Sequence, residues 1–309
     1  MPRAPQFTVG LIGSSIEGSL SPLLHEREAE ELGLRCVYRL IDIDVLGLGA
    51  NAVGDLVAQA EREGFAGVNI THPCKQEVLR VLDELSAEAR ALQAVNTVLF
   101  RDGRRIGHNT DWSGFAEGVR RGLPSAPLNR VVLVGAGGAG SAVAYALLGL
   151  GAQRIDVVDV VLERAVRLAT AMRDQRGSIR PADIGELEYL LARADGLVNA
   201  SPVGMTPELG IPVPPSLLRS DLWVADVVYR PLDTELLREA RARGCPTVNG
   251  GDMLVFQAAA AFRLFTGVSP DPERMYRHFV DMTGARIPRP ERGEMDAQVD
   301  RDSFAQWDT

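Results

Sequence analysis

The run Gly135-Ala136-Gly137-Gly138-Ala139-Gly140 follows four apolar β-formers at 131–134 and opens an alanine-rich stretch at 140–150. A strand, a glycine turn and a helix in that order form a cradle for a pyrophosphate. Gly135 permits the tight turn, Gly137 lets backbone approach the phosphates, and Gly140 lets the helix pack closely on the strand. The positive helix terminus then faces the anion. Asp159 ends the next apolar run, nineteen residues beyond Gly140. An acid at about that distance binds the adenosine ribose hydroxyls and repels a 2′-phosphate. Val160 and Val161 follow it rather than a basic residue, so NAD is favoured as the cofactor and NADP is disfavoured. Arg164 tempers that preference, and a plain role for Asp159 in capping the next helix is the alternative.

A second set of residues could handle a proton. Lys75 follows a strand end and Pro73, where a helix is expected to start, so an ammonium group there can be fixed beside a reacting oxygen. Asp111 opens another expected helix after Asn109 and Thr110, which suit a cap. A lysine with a carboxylate fits alcohol oxidation coupled to hydride transfer, because the hydroxyl must lose a proton as the hydride leaves. Singly, these residues have plainer uses. Lys75 reads equally as a solvated helix residue, Ser19 and Ser21 as caps before Pro22, and Asn69 and Thr71 as strand-end residues. Only their joint occurrence with the dinucleotide turn gives them weight. His25, His72 and Cys74 read as structural.

Short β-type runs alternate with helical stretches, the pattern of α/β folds with parallel sheets. Strands are expected at 7–12, 37–43, 66–70, 95–100 and 104–107. Helices are expected at 22–32 and 51–63, and from Lys75 toward residue 82. A linker-like stretch, 122–129, precedes a second unit. There, strands are expected at 130–134, 154–158, 196–199, 222–228 and 246–248, with helices at 140–150, 162–172 and 234–243. Two further helices, 254–265 and 272–283, have no strand after them and are expected to pack back on the first unit.

The chain has 309 residues, 46% hydrophobic and 24% charged, with a formal charge of -8. That is a globular composition, long enough for two cores. The acidic balance argues against a nucleic-acid surface, and no stretch reaches membrane-span length. Cys36, Cys74 and Cys245 are far apart and, with four scattered histidines, suggest neither disulfides nor a metal site. A cytoplasmic, metal-free protein is expected, with no membrane partner.

Six motifs occur in a fixed order: Ser19-Leu20-Ser21-Pro22; Gly67 to Lys75, which includes Asn69, Thr71 and Pro73; Ala94-Val95-Asn96-Thr97; Gly107-His108-Asn109-Thr110-Asp111; Asn199 to Met205; and Gly250 to Gln257. Together they resemble the shikimate dehydrogenase family over roughly residues 7–283. The resemblance implies two α/β domains about a cleft. One is a discontinuous substrate-binding domain, 1–112 and 250–285; the other is a doubly wound Rossmann domain, 113–249, with 286–309 left as a flexible tail. It implies an NAD(P)-dependent oxidoreductase that interconverts shikimate and 3-dehydroshikimate, with Lys75 and Asp111 flanking the reacting hydroxyl. Proton transfer and oxyanion stabilisation are both open to Lys75.

By the same resemblance, Ser19 and Ser21 bind the substrate carboxylate, with Tyr229 near it. Thr71, Asn96, Asp111 and Gln257 hold the ring hydroxyls, and Asn69 belongs to the substrate-binding set. Gly135, Ala136, Gly137, Gly138, Ala139, Gly140, Asp159, Asn199, Ala200, Val227, Gly250 and Met253 fall on the cofactor side.

The chain also departs from the family pattern. Residues 14–18, Ser-Ser-Ile-Glu-Gly, replace the Pro and His usual before the first Ser. Glu26 replaces the Asn that often follows the helix His, and the usual basic adenosine-phosphate residue is missing. These departures resemble the NAD-using branch that also accepts quinate. Quinate or aminoshikimate as substrate, a folate or amino-acid dehydrogenase of similar build, and a non-catalytic regulator binding shikimate-type ligands or NAD are the alternatives. A monomer or homodimer is expected.

Overall fold

The computed structural model describes residues 5–284 except 174, 176, 207 and 208. The region expected to be a flexible tail lies outside the described residues.

Two six-stranded sheets carry the chain. The first holds β1 (Gln6–Gly13), β2 (Arg35–Asp42), β3 (Gly67–Ile70), β4 (Glu84–Leu85), β5 (Thr97–Arg101) and β6 (Arg104–His108). Their spatial order is β2-β1-β3-β5-β6-β4. β1, β2 and β3 are parallel, and β5 alone runs against its neighbours. The C-terminal ends of β1, β3 and β6 and the N-terminal end of β5 therefore meet at one edge of the sheet, and every motif of the first half sits there. Helices α1 (Ser21–Glu31), α2 (Val53–Arg62) and α3 (Ala87–Leu92) connect these strands. Strand alternation splits the core: Ile12, Val68, Ile70 and Val98 pack toward α2, while Val9, Leu11 and Leu99 pack on the opposite face.

Between the sheets runs α4 (Asp111–Gly122). The second sheet follows, with β7 (Arg130–Val134), α5 (Gly138–Gly149), β8 (Arg154–Val158), α6 (Leu162–Ala171) and β9 (Ser178–Ala182). Next come α7 (Leu187–Leu191), β10 (Gly196–Asn199), β11 (Trp223–Asp226), α8 (Glu235–Ala242) and β12 (Thr247–Val248). The order β12-β11-β10-β7-β8-β9, all parallel, is the doubly wound Rossmann arrangement. Val131 and Leu133 face one core with α4 and α5, and Val132 faces the other with α7 and α8. The chain direction switches between β7 and β10, where the crevice of such sheets opens.

Helix α9 (Gly250–Thr266) returns to the first unit, where Ala261 and Phe265 join Val9 and Leu99. Helix α10 (Pro272–Thr283) starts at Asp271, whose carboxylate accepts from the amides of Glu273 and Arg274. Glu28 of α1, wholly buried, binds Arg274 and so ties α10 to the first unit.

Two local expectations need correction, and one strand was not expected. Lys75 lies in a turn, and only a 3₁₀ segment at Glu77–Val81 follows, so the helix expected from Lys75 does not form. Ser21 does not cap α1: it is the first helical residue, after Leu20 at the cap position, and it is Ser19 Oγ that accepts from the Ser21 amide, at 3.3 Å. The edge strand β9 carried no sequence signal, because its residues are polar and include Pro181. An edge tolerates the missing amide. Among the described residues no helix is long and apolar enough to cross a membrane. Among them also, no group of three or more His, Cys, Asp or Glu is arranged to hold a metal.

Candidate active site

At the shared sheet edge, Lys75 Nζ donates to Asp111 Oδ2 at 2.6 Å, with the aspartate side chain 9% and the lysine side chain 20% exposed. Lys75 is held through its backbone. The His72–Pro73 bond is cis, the Cys74 amide donates to the Thr71 carbonyl, and the Lys75 carbonyl accepts from Val95 N. Asp111 is held from its own side. Asn96 Nδ2 donates to Asp111 Oδ1 at 2.9 Å, and Asn109 Oδ1 accepts from the Asp111 amide. Asn96 also fixes Thr110, taking its amide hydrogen on Oδ1. Charge-assisted contacts of this kind are short and strong. Two residues that reached this edge by unrelated strands thus form one rigid pair with a clear face.

Around the pair stand other expected residues. Thr71 ends the β3 turn, half-buried, with its methyl against Gly13: a Cβ on Gly13 would lie 2.3 Å from Thr71 Cγ2. Gln257 enters from α9, where Thr110 Oγ1 donates to its Oε1 at 3.4 Å. Ser21 is buried and Ser19 half-buried, at the start of α1. Tyr229 packs with Leu20 on the cluster formed by α1, α9 and α10, and burial pushes its phenol above the ordinary range. Asn69 is different: its amide is committed to Tyr38 Oη, the Asn96 carbonyl and Thr97 Oγ1.

The glycine turn lies directly opposite. Gly135 adopts φ +100°, and a Cβ there would lie 2.8 Å from the Ala200 carbonyl. A Cβ on Gly140 would lie 2.1 Å from the Gly135 carbonyl. Gly137 is exposed and would meet nothing within 4 Å, so its face, with Gly138 and Ala139 opening α5, is clear for an anion to approach. These residues fit a dinucleotide pyrophosphate. Asp159 closes the far end of the turn, accepting from the amides of Ala136 and Val161 at 2.8 and 2.9 Å.

The two halves touch at Lys75, whose Cδ would be 3.5 Å from a Cβ on Gly138. Gly250 lies against the Val227 and Val228 carbonyls, where a Cβ would be 2.4 Å from Val227 O, and Met253 follows one turn on. Asn199 is fully buried, its amide spent on Val203 O, Asp226 and Ser201. It braces the 199–205 loop, leaving Ala200 half-buried at the glycine turn.

Sequence reasoning missed several contributors. Tyr38 carried no signal, being one strand tyrosine among others. Gly114, Gly118 and Gly122 recur every fourth residue of α4. That spacing marks a close helix contact, and their Cβ positions would run into α9 and the residues leading to it.

The family described as the shikimate dehydrogenase substrate-binding domain matches residues 11–98, and the shikimate 5′-dehydrogenase C-terminal domain matches 250–278. The chain is 58% identical over 285 residues, 92% of this chain and 98% of the relative, to a shikimate dehydrogenase (NADP(+)) of Streptomyces avermitilis. It is 46% identical over 277 residues, 89% of this chain and 98% of the relative, to a quinate/shikimate dehydrogenase (NAD(+)) of Corynebacterium efficiens. The solved quinate dehydrogenase of Corynebacterium glutamicum in complex with NAD superposes with a TM-score of 0.84 at 45% identity, covering 90% of this chain and 99% of that one. With the paired lysine and aspartate facing a Rossmann glycine turn, these likenesses place the chain in the shikimate dehydrogenase family.

Proposed function

We propose that the protein oxidises shikimate to 3-dehydroshikimate, and catalyses the reverse, with NAD preferred over NADP. The observation that carries this reading is the Lys75–Asp111 pair, 2.6 Å apart, with Lys75 Cδ 3.5 Å from where a Cβ on Gly138 of the dinucleotide turn would stand. A nicotinamide dinucleotide held by the turn from Gly135 to Gly140 would supply the hydride acceptor in one direction and the donor in the other. The protein supplies the rest. Lys75 and Asp111 take up the hydroxyl proton as the C–H bond breaks and return one in reduction. Once Lys75 holds that proton, its ammonium stabilises negative charge on the reacting oxygen. Ser19 and Ser21 hold the carboxylate through short neutral donors, and hydrogen bonds to a charged group contribute about 1.5–3 kcal/mol each. Thr71, Asn96 and Gln257 orient the ring, and Asn69 positions Asn96 from behind. Orientation across two units converts the meeting of ring carbon and nicotinamide into an intramolecular event.

Asp159 at the end of β8, followed by exposed Val160, supports NAD. Quinate is the second reading, favoured by the likeness to quinate-named relatives; Ser21, where quinate-preferring members often carry Thr, keeps shikimate first. Steady-state kcat/KM across shikimate, quinate and aminoshikimate, each with NAD and NADP, tests both assignments. Shikimate with NAD is expected to lead, NAD by about tenfold or more, equal to about 1.4 kcal/mol. A lead for NADP overturns the cofactor assignment, and a lead for quinate overturns the substrate.

A further inference from the structure

Arg230 directly follows Tyr229 in the chain and leaves the second sheet beyond β11. Its guanidinium lies flat over Gly18 of the first unit: a Cβ on Gly18 would stand 2.2 Å from Nη1, 2.4 Å from Nη2 and 2.5 Å from Cζ. Only glycine lets it settle there. Gly18 immediately precedes Ser19 and Ser21. Its loop is pinned from β2, with Asp42 accepting from the amides of Ser15 and Ile16, and the Ser19 amide donating to Ile16 O. The backbone of Arg230 is also fixed, because its carbonyl accepts from Thr206 N. The side chain is exposed, and among the described residues no carboxylate pairs with it. A planar five-donor cation thus stands over the glycine that precedes Ser19 and Ser21, next in the chain to Tyr229. Those three groups offer hydrogen bonds but no positive charge.

We propose that Arg230 supplies the cationic contact for the substrate carboxylate, reaching from one unit across Gly18 to the other, and so makes the enzyme select anionic substrates. This rests on the reading of Ser19, Ser21 and Tyr229 as the acid-binding corner. A guanidinium matches a carboxylate in geometry and stays charged at every working pH.

The test is kinetic. Arg230→Gln is expected to raise KM for shikimate about tenfold, as loss of an exposed charged hydrogen bond does, with kcat and the KM for cofactor little changed. Arg230→Lys restores most of the loss. Gly18→Ala pushes the guanidinium aside, so it reproduces the Arg230→Gln effect and adds nothing on top of it in the double variant. The neutral methyl ester of shikimate, used as substrate or competing ligand, is bound equally by wild type and Arg230→Gln. An unchanged KM for shikimate in Arg230→Gln, or an equal loss for the acid and its ester, overturns the proposal. So does a loss confined to kcat. If the wild-type enzyme turns over none of the ring acids, the reading of the site fails and the role of Arg230 fails with it.

Discussion

At the residue scale, the site depends on polar atoms whose partners leave them no choice of direction. Asn96 shows this best: one amide holds Asp111, Thr110 and Thr97 at once, while 2% exposed. Behind Ser21, His25 donates from Nδ1 to the Ser21 carbonyl and sits among Tyr38, Phe262 and Phe265, with Nε2 unpartnered. Burial lowers its pKa from 6.5 to about 4. The folded state therefore keeps His25 neutral where the unfolded chain binds a proton. Its contribution is complete above about 6.5 and is lost as pH falls toward about 4. Measured by urea unfolding, the stability margin of wild type over His25→Phe is expected to be constant at neutral pH. It should shrink by at most roughly 3 kcal/mol on acidification over that window. A margin that widens toward pH 4 contradicts the buried neutral assignment.

At the scale of elements, two helices set the distance between the proton pair and Gln257. α4 and α9 touch through glycine: a Cβ on Gly114 would lie 2.5 Å from Met253 O and 2.9 Å from Gln257 N. Those are backbone atoms of a packed helix and cannot swing aside. Gly114→Val is therefore expected to push α9 away, destabilising the protein by about 1–3 kcal/mol and lowering kcat/KM, since Asp111 and Gln257 hang from the two displaced helices. Thermal unfolding and kinetics of that variant check the point; wild-type values in both would show that the contact is slack. The strands and helices around the glycine turn were legible because their apolar runs are long and their stop signals strong. The turn at Lys75 was not. Pro73 suggested a helix start, whereas the bonds from the Cys74 amide to the Thr71 carbonyl and from the Val95 amide to the Lys75 carbonyl hold a turn instead. The weak edge strand β9 escaped for the same reason. Tertiary contacts, not local propensity, decide them.

At the scale of the molecule, two sheets present their functional ends to one another, and α4 and α9 carry the chain between them. The boundary expected at 112/113 falls inside α4, a helix that packs on both α9 and α5. The list of candidate residues could be read from motif order. What could not be read was which side chains face the ligand and which brace those that do. Asn69 and Asn199 spend every amide atom inside the protein, and Arg230, absent from the motifs, stands at the seam. The central claim is that Lys75, joined to Asp111 and standing beside the glycine turn, handles the proton of the reacting hydroxyl. The direct measurement is the turnover of Lys75→Ala with shikimate and NAD, alongside circular dichroism to verify folding. A folded variant whose kcat has fallen by about 10² or more is expected. A folded variant that turns over at the wild-type rate would contradict the role given to Lys75.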